Sequence, residues 1–439
     1  MKVNKRDSQA ILNSLAGGVV PSRGLQHILI GRTAEANQIM KDLQEVKEGS
    51  AKVKFFIGAF GSGKSFIQGL IQQIGFKEKF VVAKADFTPE RRLYGNERKA
   101  VATYTELVKN IAVSSKPEGN ALKIILEKWI GDVLSKVVQE KGYDNVDFQN
   151  EQFVKDVKTE MNELISAMDN LTGGYDFALV ISSYFEGYVN DDEELQRKAL
   201  KWIRGEYTTK TEARKDLGVR TIIDDLNYYE YIKVLANFIR SIGYSGLIIN
   251  LDEAINLYKI THPQTREKNY ETILKIFNDT LQGSLEGIYI TFGGTPEFLE
   301  DERRGLFSYQ ALKRRLVSNK FETADFRDMS QPVIKLAPLD HNEIFVLVTK
   351  LKEIHEAHYS YESGITQEDI ASFLKKEFEK MGSLEHLTVG SIIRDFLGAL
   401  NILHQNPQYN KKEIFGGNEV IKQETPTSRF SRFSTLEGE

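Results

Sequence analysis

Eight consecutive residues have the types and spacing needed to bind a chain of phosphates. They match the pattern G-x-x-x-x-G-K-[ST], in which glycines allow backbone N–H groups to surround the phosphates. The lysine reaches the β- and γ-phosphate oxygens, and the hydroxyl that follows it joins Mg²⁺. The pattern therefore predicts a site for a nucleoside triphosphate and Mg²⁺. The eight residues are Gly58, Ala59, Phe60, Gly61, Ser62, Gly63, Lys64 and Ser65.

Two adjacent carboxylates, Asp252 and Glu253, end the apolar stretch GLIINLDE. In parallel sheets, ligands bind at the carboxyl ends of the strands. We expect Asp252 to hold Mg²⁺ through its water shell and Glu253 to polarise the attacking water as a general base. Alone, the stretch equally fits a strand followed by an acidic helix start. Together with the glycine loop it favours nucleotide hydrolysis.

Thr295 follows another apolar stretch, GIYITF, and two glycines. If that strand neighbours the one bearing Asp252, the Thr295 hydroxyl lies near the γ-phosphate, where it can orient the attacking water. A threonine that caps a helix after a glycine turn explains the sequence equally well. Both interpretations stay open at this point.

Four arginines crowd the stretch RRGLFSYQALKRR. Arginine suits bidentate contact with phosphate, and one supplied by a neighbouring subunit can stabilise the transferring γ-phosphoryl group. At most one or two of the four can do so. A solvated basic helix face or a nucleic-acid patch is the alternative for each. The four are Arg303, Arg304, Arg314 and Arg315.

The overall composition excludes several other chemistries. The 439 residues include no cysteine, so disulfides, thiolate nucleophiles and cysteine-type zinc sites are excluded. With 58 basic and 62 acidic side chains the net charge is −4, so any contact with DNA must be a local patch. No apolar stretch has the length of a signal-peptide core or a membrane span. We expect a cytoplasmic protein with no membrane partner.

The elements that would position these residues alternate between strands and helices. Apolar stretches bounded by glycine or charge predict strands at 52–57, 80–85, 246–251 and 287–292. Helical spacing follows the glycine loop and recurs at 228–242. The order strand, glycine-rich turn, helix, strand is typical of a right-handed parallel unit. We predict an α/β fold with a parallel-sheet P-loop NTPase core.

A long helical segment interrupts this alternation. Residues 103–217 have no clear strand pattern, which indicates a helical insertion between the core halves 1–102 and 218–336. Two capping pairs, Asp340 with Glu343 and Thr366 with Asp369, predict a helical module over 337–415. Residues 416–439 have the composition of a flexible tail. Docking of a partner through their Arg-Phe repeats is the alternative.

The glycine loop, the LDE stretch and the GGTP stretch, followed by helices, resemble an AAA+ ATPase of the Orc/Cdc6-like branch. The stretches GAFGSGKS, GYSGLIINLDEAINLYKI, NYETILKIFNDTLQG and GGTPEFLEDERRGLFSYQALKRRL are more closely similar to the BrxD-like family, the ATP-binding protein of BREX phage-defence systems. The resemblance covers about residues 6–405. It implies an AAA+ core with a C-terminal helical lid.

The resemblance also implies roles for single residues. It assigns phosphate and Mg²⁺ binding to the end of the glycine loop, the metal and water roles to the acidic pair, and the sensor-1 role to the threonine. The stretch PSRGLQHILIGR looks like the adenine-side linker, which places Gly31 at the nucleotide. Relatives usually carry a Pro-Arg pair where this chain reads TVGSIIRDFL, so Gly390 stands at the position of the sensor-2 arginine. Arg394, one turn later, is the candidate substitute, and hydrolysis could be slow.

The function that the resemblance implies is ATP binding and hydrolysis between the protomers of an oligomer. We expect an ATPase subunit of a bacterial defence system that couples ATP binding or turnover to assembly, or to remodelling of a DNA-associated complex. Expected partners are further copies of the chain, through trans-acting arginines, and other defence-operon proteins such as a helicase. Two alternatives are a loader that binds duplex DNA and a nucleotide-switched scaffold with little hydrolysis.

Overall fold

A parallel sheet of five strands forms the centre of the fold. The computed structural model describes residues 3–166, 171–323, 326–381 and 388–415. Every strand pair of the sheet is parallel, and the strand order is β2-β3-β4-β1-β5. The predicted α/β class and parallel sheet are thereby confirmed. The strands are β1 (Ala51–Ile57), β2 (Val81–Asp86), β3 (Leu247–Asp252), β4 (Ile288–Gly294) and β5 (Val333–Lys335).

The strand order decides which segments meet at the carboxyl edge of the sheet. β4 lies between β1 and β3. Leu251 of β3 pairs with Phe292 of β4, and Ile57 of β1 pairs with Gly294 of β4. The ends of β1, β3 and β4 therefore lie side by side. The strand that precedes Thr295, β4, is therefore adjacent to β3, as a position of Thr295 near the γ-phosphate requires.

β5 was not predicted from the sequence. It has three residues, too few for a periodic pattern, and it exists because it pairs with β1. Phe55 pairs with Val333, and the Phe55 amide donates a hydrogen bond of 2.7 Å to the Pro332 carbonyl. This strand leads the chain back to the glycine loop, residues 58–65, which is called the phosphate-binding loop below.

Alternate residues of β1 enter two hydrophobic cores on opposite faces of the sheet. Phe55 stacks on Phe292 of β4, with ring centroids 4.9 Å apart, in the first core. Phe56 enters the second core. The helices packed in the second core come from the two ends of the described chain. They are α1 (Lys5–Ala16), α2 (Thr33–Lys47), α3 (Lys64–Lys77), α15 (His341–Tyr359), α16 (Gln367–Met381), α17 (Val389–Gln405) and α18 (Lys411–Phe415).

The first core contains the helices between β2 and β5. In the described part of 103–217 the regular elements are helices joined by loops, and the first of them begins at Lys99. Trp129 packs edge-on against Phe238 with ring centroids 5.3 Å apart, so this segment shares the core of the sheet. The helices are α4 (Lys99–Lys109), α5 (Leu122–Lys141), α6 (Glu151–Ser166), α7 (Gly174–Val189), α8 (Glu193–Ile203), α9 (Lys210–Leu217), α10 (Tyr228–Ser241), α11 (Ile255–Tyr258), α12 (Pro263–Leu281), α13 (Pro296–Glu300) and α14 (Gln310–Leu316).

The helices α15 to α18, called the lid helices below, follow β5. Both predicted capping pairs are present: Asp340 and Glu343 form a capping box, and Thr366 and Asp369 exchange hydrogen bonds. The tail 416–439 lies outside the described residues. Within the described part of the chain, no helix has the length and apolar character needed to cross a membrane.

Candidate nucleotide-binding site

The phosphate-binding loop connects the carboxyl end of β1 to the start of α3. Gly61 and Gly63 have φ angles of +79° and +90°, in the left-handed region that favours glycine. Lys64 is the first residue of α3, and its Nζ donates hydrogen bonds to the carbonyls of Gly58 (2.8 Å) and Ala59 (2.9 Å). The loop thus curls around its lysine at the amino end of a helix, an arrangement suited to phosphate.

The first glycine of the loop is required by crowding. A side chain on Gly58 would collide with Ser62 Oγ and lie 3.0 Å from the Leu336 carbonyl oxygen. Ser62 is buried, and its hydroxyl has no hydrogen-bond partner among the described residues. Ser65, on the first turn of α3, is exposed, and Phe60 is 88% exposed. The Ser65 hydroxyl is therefore accessible to an ion.

The acidic pair lies at the end of β3, close to the loop lysine. The Asp252 carboxylate accepts a hydrogen bond of 2.8 Å from the Glu253 amide. A side chain on Gly293 of β4 would collide with that carboxylate, so glycine makes room for Asp252. Burial raises the pKa of Asp252, and Lys64 opposes this rise. Burial also lowers the pKa of Lys64, while the two carboxylates oppose that fall. The charges share one site.

Glu253 has an uncommon backbone conformation. Its φ angle of +55° lies in the left-handed region, which residues other than glycine rarely adopt. Hydrogen bonds on both sides hold this turn: the Ala254 amide donates to the Gly293 carbonyl, and the Asn256 amide donates to the Glu253 carbonyl, both at 2.9 Å. The Glu253 side chain is exposed. Such backbone conformations cluster at functional sites.

Thr295 is the N-cap of the short helix α13. Its hydroxyl accepts a hydrogen bond of 3.5 Å from the Phe298 amide. The same hydroxyl lowers the pKa of Glu297, a carboxylate that also interacts electrostatically with Lys64. The capping interpretation is observed. Glu297 thus links Thr295 to the loop lysine. The proposed sensor role of Thr295 stays a prediction.

The four candidate arginines have different surroundings. Arg304 donates to the carbonyls of Tyr258 (3.2 Å) and Ile260 (3.4 Å), and Arg315 donates to the Ala311 carbonyl. Arg303 and Arg314 have exposed side chains. Two of the four are therefore engaged by backbone of their own chain, and two face solvent.

Gly31 and Gly61, two of the residues expected at the nucleotide, lie where the lid helices approach the core that carries the sheet. Gly31 has a φ angle of +68°, and a side chain there would collide with Glu343 at the start of α15. A side chain on Gly61 would lie 2.9 Å from Cγ2 of Thr388, the N-cap of α17. The structure thus packs the phosphate-binding loop against the amino end of α17.

Arg394 lies six residues after Thr388, the residue at the start of α17 that contacts the loop. Its side chain is 58% exposed, and its Nε lies 3.6 Å from the Asp395 carboxylate. Gly390 is exposed on the first turn of the same helix. The role of Arg394 in nucleotide binding stays a prediction.

Three polar residues at the site were not predicted from the sequence: Arg32, Gln68 and Glu297. Gln68 follows Lys64 by four residues, and its amide nitrogen lies with the Asp252 carboxylate against Gly293. That nitrogen is buried and without a hydrogen-bond partner in the described residues. Helical spacing from the lysine could have indicated Gln68. Arg32 and Glu297 carry no such signal, because their contacts depend on the tertiary fold.

The donor set fits Mg²⁺ bound together with phosphate. Ser65 and Asp252 offer a hydroxyl and a carboxylate, and Mg²⁺ commonly binds one or two protein groups together with phosphate oxygens and water. Among the described residues no group of three or more His, Cys, Asp or Glu side chains could hold a metal ion. A magnesium site here would therefore need the phosphates to complete it.

The strand order, the glycine loop and the adjacent acidic pair define a P-loop NTPase core of the AAA+ type, with a helical insertion and a helical lid. Residues 3–419 match the family described as BREX system ATP-binding protein BrxC/D. The chain belongs to this family and is an ATP-binding component of a BREX defence system. A comparison with curated proteins found no match.

Proposed function

We propose that the chain hydrolyses ATP and couples ATP binding or turnover to oligomer assembly or to remodelling of a DNA-associated complex. The observation that supports this most is the convergence of a loop lysine and an acidic pair at one edge of the sheet. Lys64 interacts electrostatically with Asp252 and Glu253, although the whole helical segment 103–217 separates them in sequence. This combination of a phosphate-binding cation and carboxylates is what phosphoryl transfer to water requires.

Each residue of the site has a task in this proposal. Lys64 exchanges its bonds with the loop carbonyls for bonds to the β- and γ-phosphate oxygens. Ser65 and Asp252 would hold Mg²⁺, which neutralises charge on the phosphates when bound. Glu253, exposed beside Asp252, accepts the proton of the attacking water. Thr295 would orient that water.

The exposed arginines favour a site shared between subunits. Arg303 and Arg314 face solvent, whereas Arg304 and Arg315 donate to backbone carbonyls of their own chain. An arginine can stabilise the transferring phosphoryl group only if it is free to reach it. We therefore assign the trans-acting role to Arg303 or Arg314, with further copies of the chain as partners. A helicase or another defence-operon protein is the further partner that we propose.

A second candidate function is a nucleotide-switched scaffold with little hydrolysis. The observation that favours it is the position of Arg394, which lies beside Asp395 and one turn beyond the glycine that stands for the sensor-2 arginine. A lid without an arginine at the γ-phosphate would still close on ATP but would stabilise the transition state less.

The variant Glu253→Gln separates the two functions. It keeps the size of the side chain but removes the base, so ATP binding should persist while turnover falls by about 100-fold or more. Phosphate release and equilibrium ATP binding would be measured on the same preparation. Glu267→Gln, on the exposed side of α12, is a control for the loss of one surface carboxylate. Unchanged turnover in Glu253→Gln would falsify hydrolysis by this site.

A further inference from the structure

A buried arginine, Arg32, lies between the phosphate-binding loop and the lid helices. Its residue is only 6% exposed. Its Nη2 donates to two carbonyl oxygens, that of Ser62 at 2.9 Å and that of Ala337 at 2.5 Å. Ser62 belongs to the phosphate-binding loop, and Ala337 lies between β5 and α15. A single nitrogen atom thus holds the loop and the segment that leads to the lid.

A buried carboxylate orients this guanidinium. Glu35, 2% exposed, lies 3.7 Å from Arg32 Nη1 and also accepts a hydrogen bond of 3.3 Å from Arg327. Arg327 in turn donates to the Lys335 carbonyl at the end of β5. Burial lowers the pKa of Arg32, and the Glu35 and Glu343 carboxylates oppose this fall. Burying such a charge is costly unless it is paired, so this guanidinium has little freedom to move without its partners.

The lid helices also contact the same loop directly. Thr388, the N-cap of α17, packs on Gly61, one residue before Ser62. Gly31, the residue before Arg32, packs on Glu343 of α15. The loop therefore contacts both the arginine and the start of α17. Movement of residues 61–63 must disturb contacts with the lid.

We propose that Arg32 is a positioning residue that couples occupancy of the phosphate-binding loop to the position of the lid helices. The proposal rests on ATP binding at this loop. The Ser62 carbonyl and the Gly63 N–H belong to one planar peptide unit. When that N–H turns to a phosphate, the carbonyl turns with it. The carbonyl is bonded to the nitrogen that also holds Ala337, so the turn is transmitted to the segment before α15.

Hydrogen–deuterium exchange on the full chain, with and without ATP and Mg²⁺, tests this coupling. In the wild type, ATP should slow exchange in the loop and also in the first turns of α15 and α17. In Arg32→Ala, ATP should still slow exchange in the loop, but the slowing in the lid should shrink about fivefold or more, the lower range of usual coupling factors. Arg98→Ala is the matched control, because Arg98 donates to the carbonyls of Gly205 and Tyr207 in the helical segment.

Each result decides a different question. If wild-type loop peptides show no response to ATP, the proposed function fails as well. If the loop responds in the wild type and the lid responds equally in Arg32→Ala, the coupling role of Arg32 is wrong while ATP binding stands. Loss of the lid response in Arg98→Ala as well would reduce the effect to general destabilisation and would also overturn the proposal.

A second variant covers the case in which Arg32→Ala does not fold. Arg32→Lys keeps the positive charge beside Glu35 but replaces the rigid planar fork with a single ammonium. We expect a folded protein by circular dichroism, with the lid response reduced and the loop response kept. A full lid response in this folded variant would count against the proposal.

Discussion

At the scale of single residues, Lys64 carries the charge on which the site depends. Three carboxylates, Asp252, Glu253 and Glu297, interact with it electrostatically. Without the ammonium they would repel a triphosphate. Hydrogen bonds to charged groups contribute about 1.5–3 kcal/mol, so Lys64→Ala should weaken ATP binding about 10- to 150-fold.

Calorimetric titration with ATP and Mg²⁺ measures this loss. The matched control is Lys77→Ala, which removes an exposed lysine from the last turn of the same helix, α3. We expect that control to bind ATP as the wild type does. Equal affinity in Lys64→Ala and the wild type would show that the loop lysine does not face the phosphates.

How far single residues could be predicted depends on the range of their contacts. The loop glycines and Lys64 act through their neighbours in sequence, so their pattern is local. Arg32 contacts Ser62 and Ala337, and Glu297 lies near Lys64 only because β4 is next to β1. No local spacing encodes such contacts. The sequence therefore predicts candidate phosphate-binding groups but does not predict the residues that contact them across the tertiary fold.

Among the elements, the contact between the phosphate-binding loop and α17 predicts that a side chain at Gly61 crowds Thr388. Alanine at Gly61 would adopt a left-handed φ, at a cost of about 1–2 kcal/mol, and its Cβ would lie 2.9 Å from Thr388 Cγ2. Gly61→Ala should therefore weaken ATP binding. Adding Thr388→Ser removes that methyl group, keeps the hydroxyl that caps α17, and should restore part of the affinity.

Gly63→Ala separates crowding from backbone strain. At Gly63 the φ angle is +90°, but the nearest atom outside its neighbours, Arg32 Nη2, would be 3.8 Å from the added Cβ. Thr388→Ser should therefore give no rescue of Gly63→Ala. Titration of ATP into the four single and double variants measures this difference. Equal rescue of both glycine variants would show that the contact with α17 is not the cause.

The lid helices should respond to acid through His355. This residue of α15 is 1% exposed, and its ring nitrogens bond to the Tyr361 hydroxyl (2.9 Å) and the Asn401 side chain (3.1 Å). Burial lowers the pKa of His355. Asn401 and Glu356 oppose this effect, and His404 and His358 add to it. The unfolded chain therefore takes up the proton first, and stability falls as the pH drops below about 6.5.

The variant His355→Gln should reduce this dependence, because it cannot gain the proton. Melting temperatures at about pH 7.5 and about pH 5.5, compared between the wild type and the variant, give the measurement. His262→Gln, an exposed N-cap residue of α12, is the control and should keep the wild-type difference. An unchanged difference in His355→Gln would assign the acid response to other groups.

The elements themselves were predictable where the pattern was local. β1, β3 and β4 are largely apolar runs bounded by glycine or charge, and both capping pairs at the lid begin helices as their residue types indicate. β5 has three residues and no periodicity of its own; its pairing with β1 creates it. Helix starts and apolar strands are determined by neighbouring residues in the sequence, whereas the short edge strand β5 depends on its pairing with β1.

At the scale of the whole molecule, the sheet order brings distant parts of the chain into one site. β4 separates β1 from β3, and the helices α4 to α10 separate β2 from β3 in sequence. Chain order alone leaves the spatial order of parallel strands open. Adjacency of β3 and β4 is the step that places Asp252 against Gly293 and turns two motifs into one site.

If the active site is shared between copies of the chain, inactive variants of two different copies should restore activity when mixed. If each site takes Lys64 from one copy and Arg303 or Arg314 from the next, both kinds of variant are inactive alone but complement each other. In a random equal mixture of Lys64→Ala with the arginine variant, about one quarter of head-to-tail interfaces combine an intact loop with an intact arginine. ATP turnover of the mixture should approach that fraction of the wild-type rate. A mixture of Lys64→Ala with Glu253→Gln should stay inactive, because both residues come from the same copy. Turnover in that control, or none in the first mixture, would contradict a shared site.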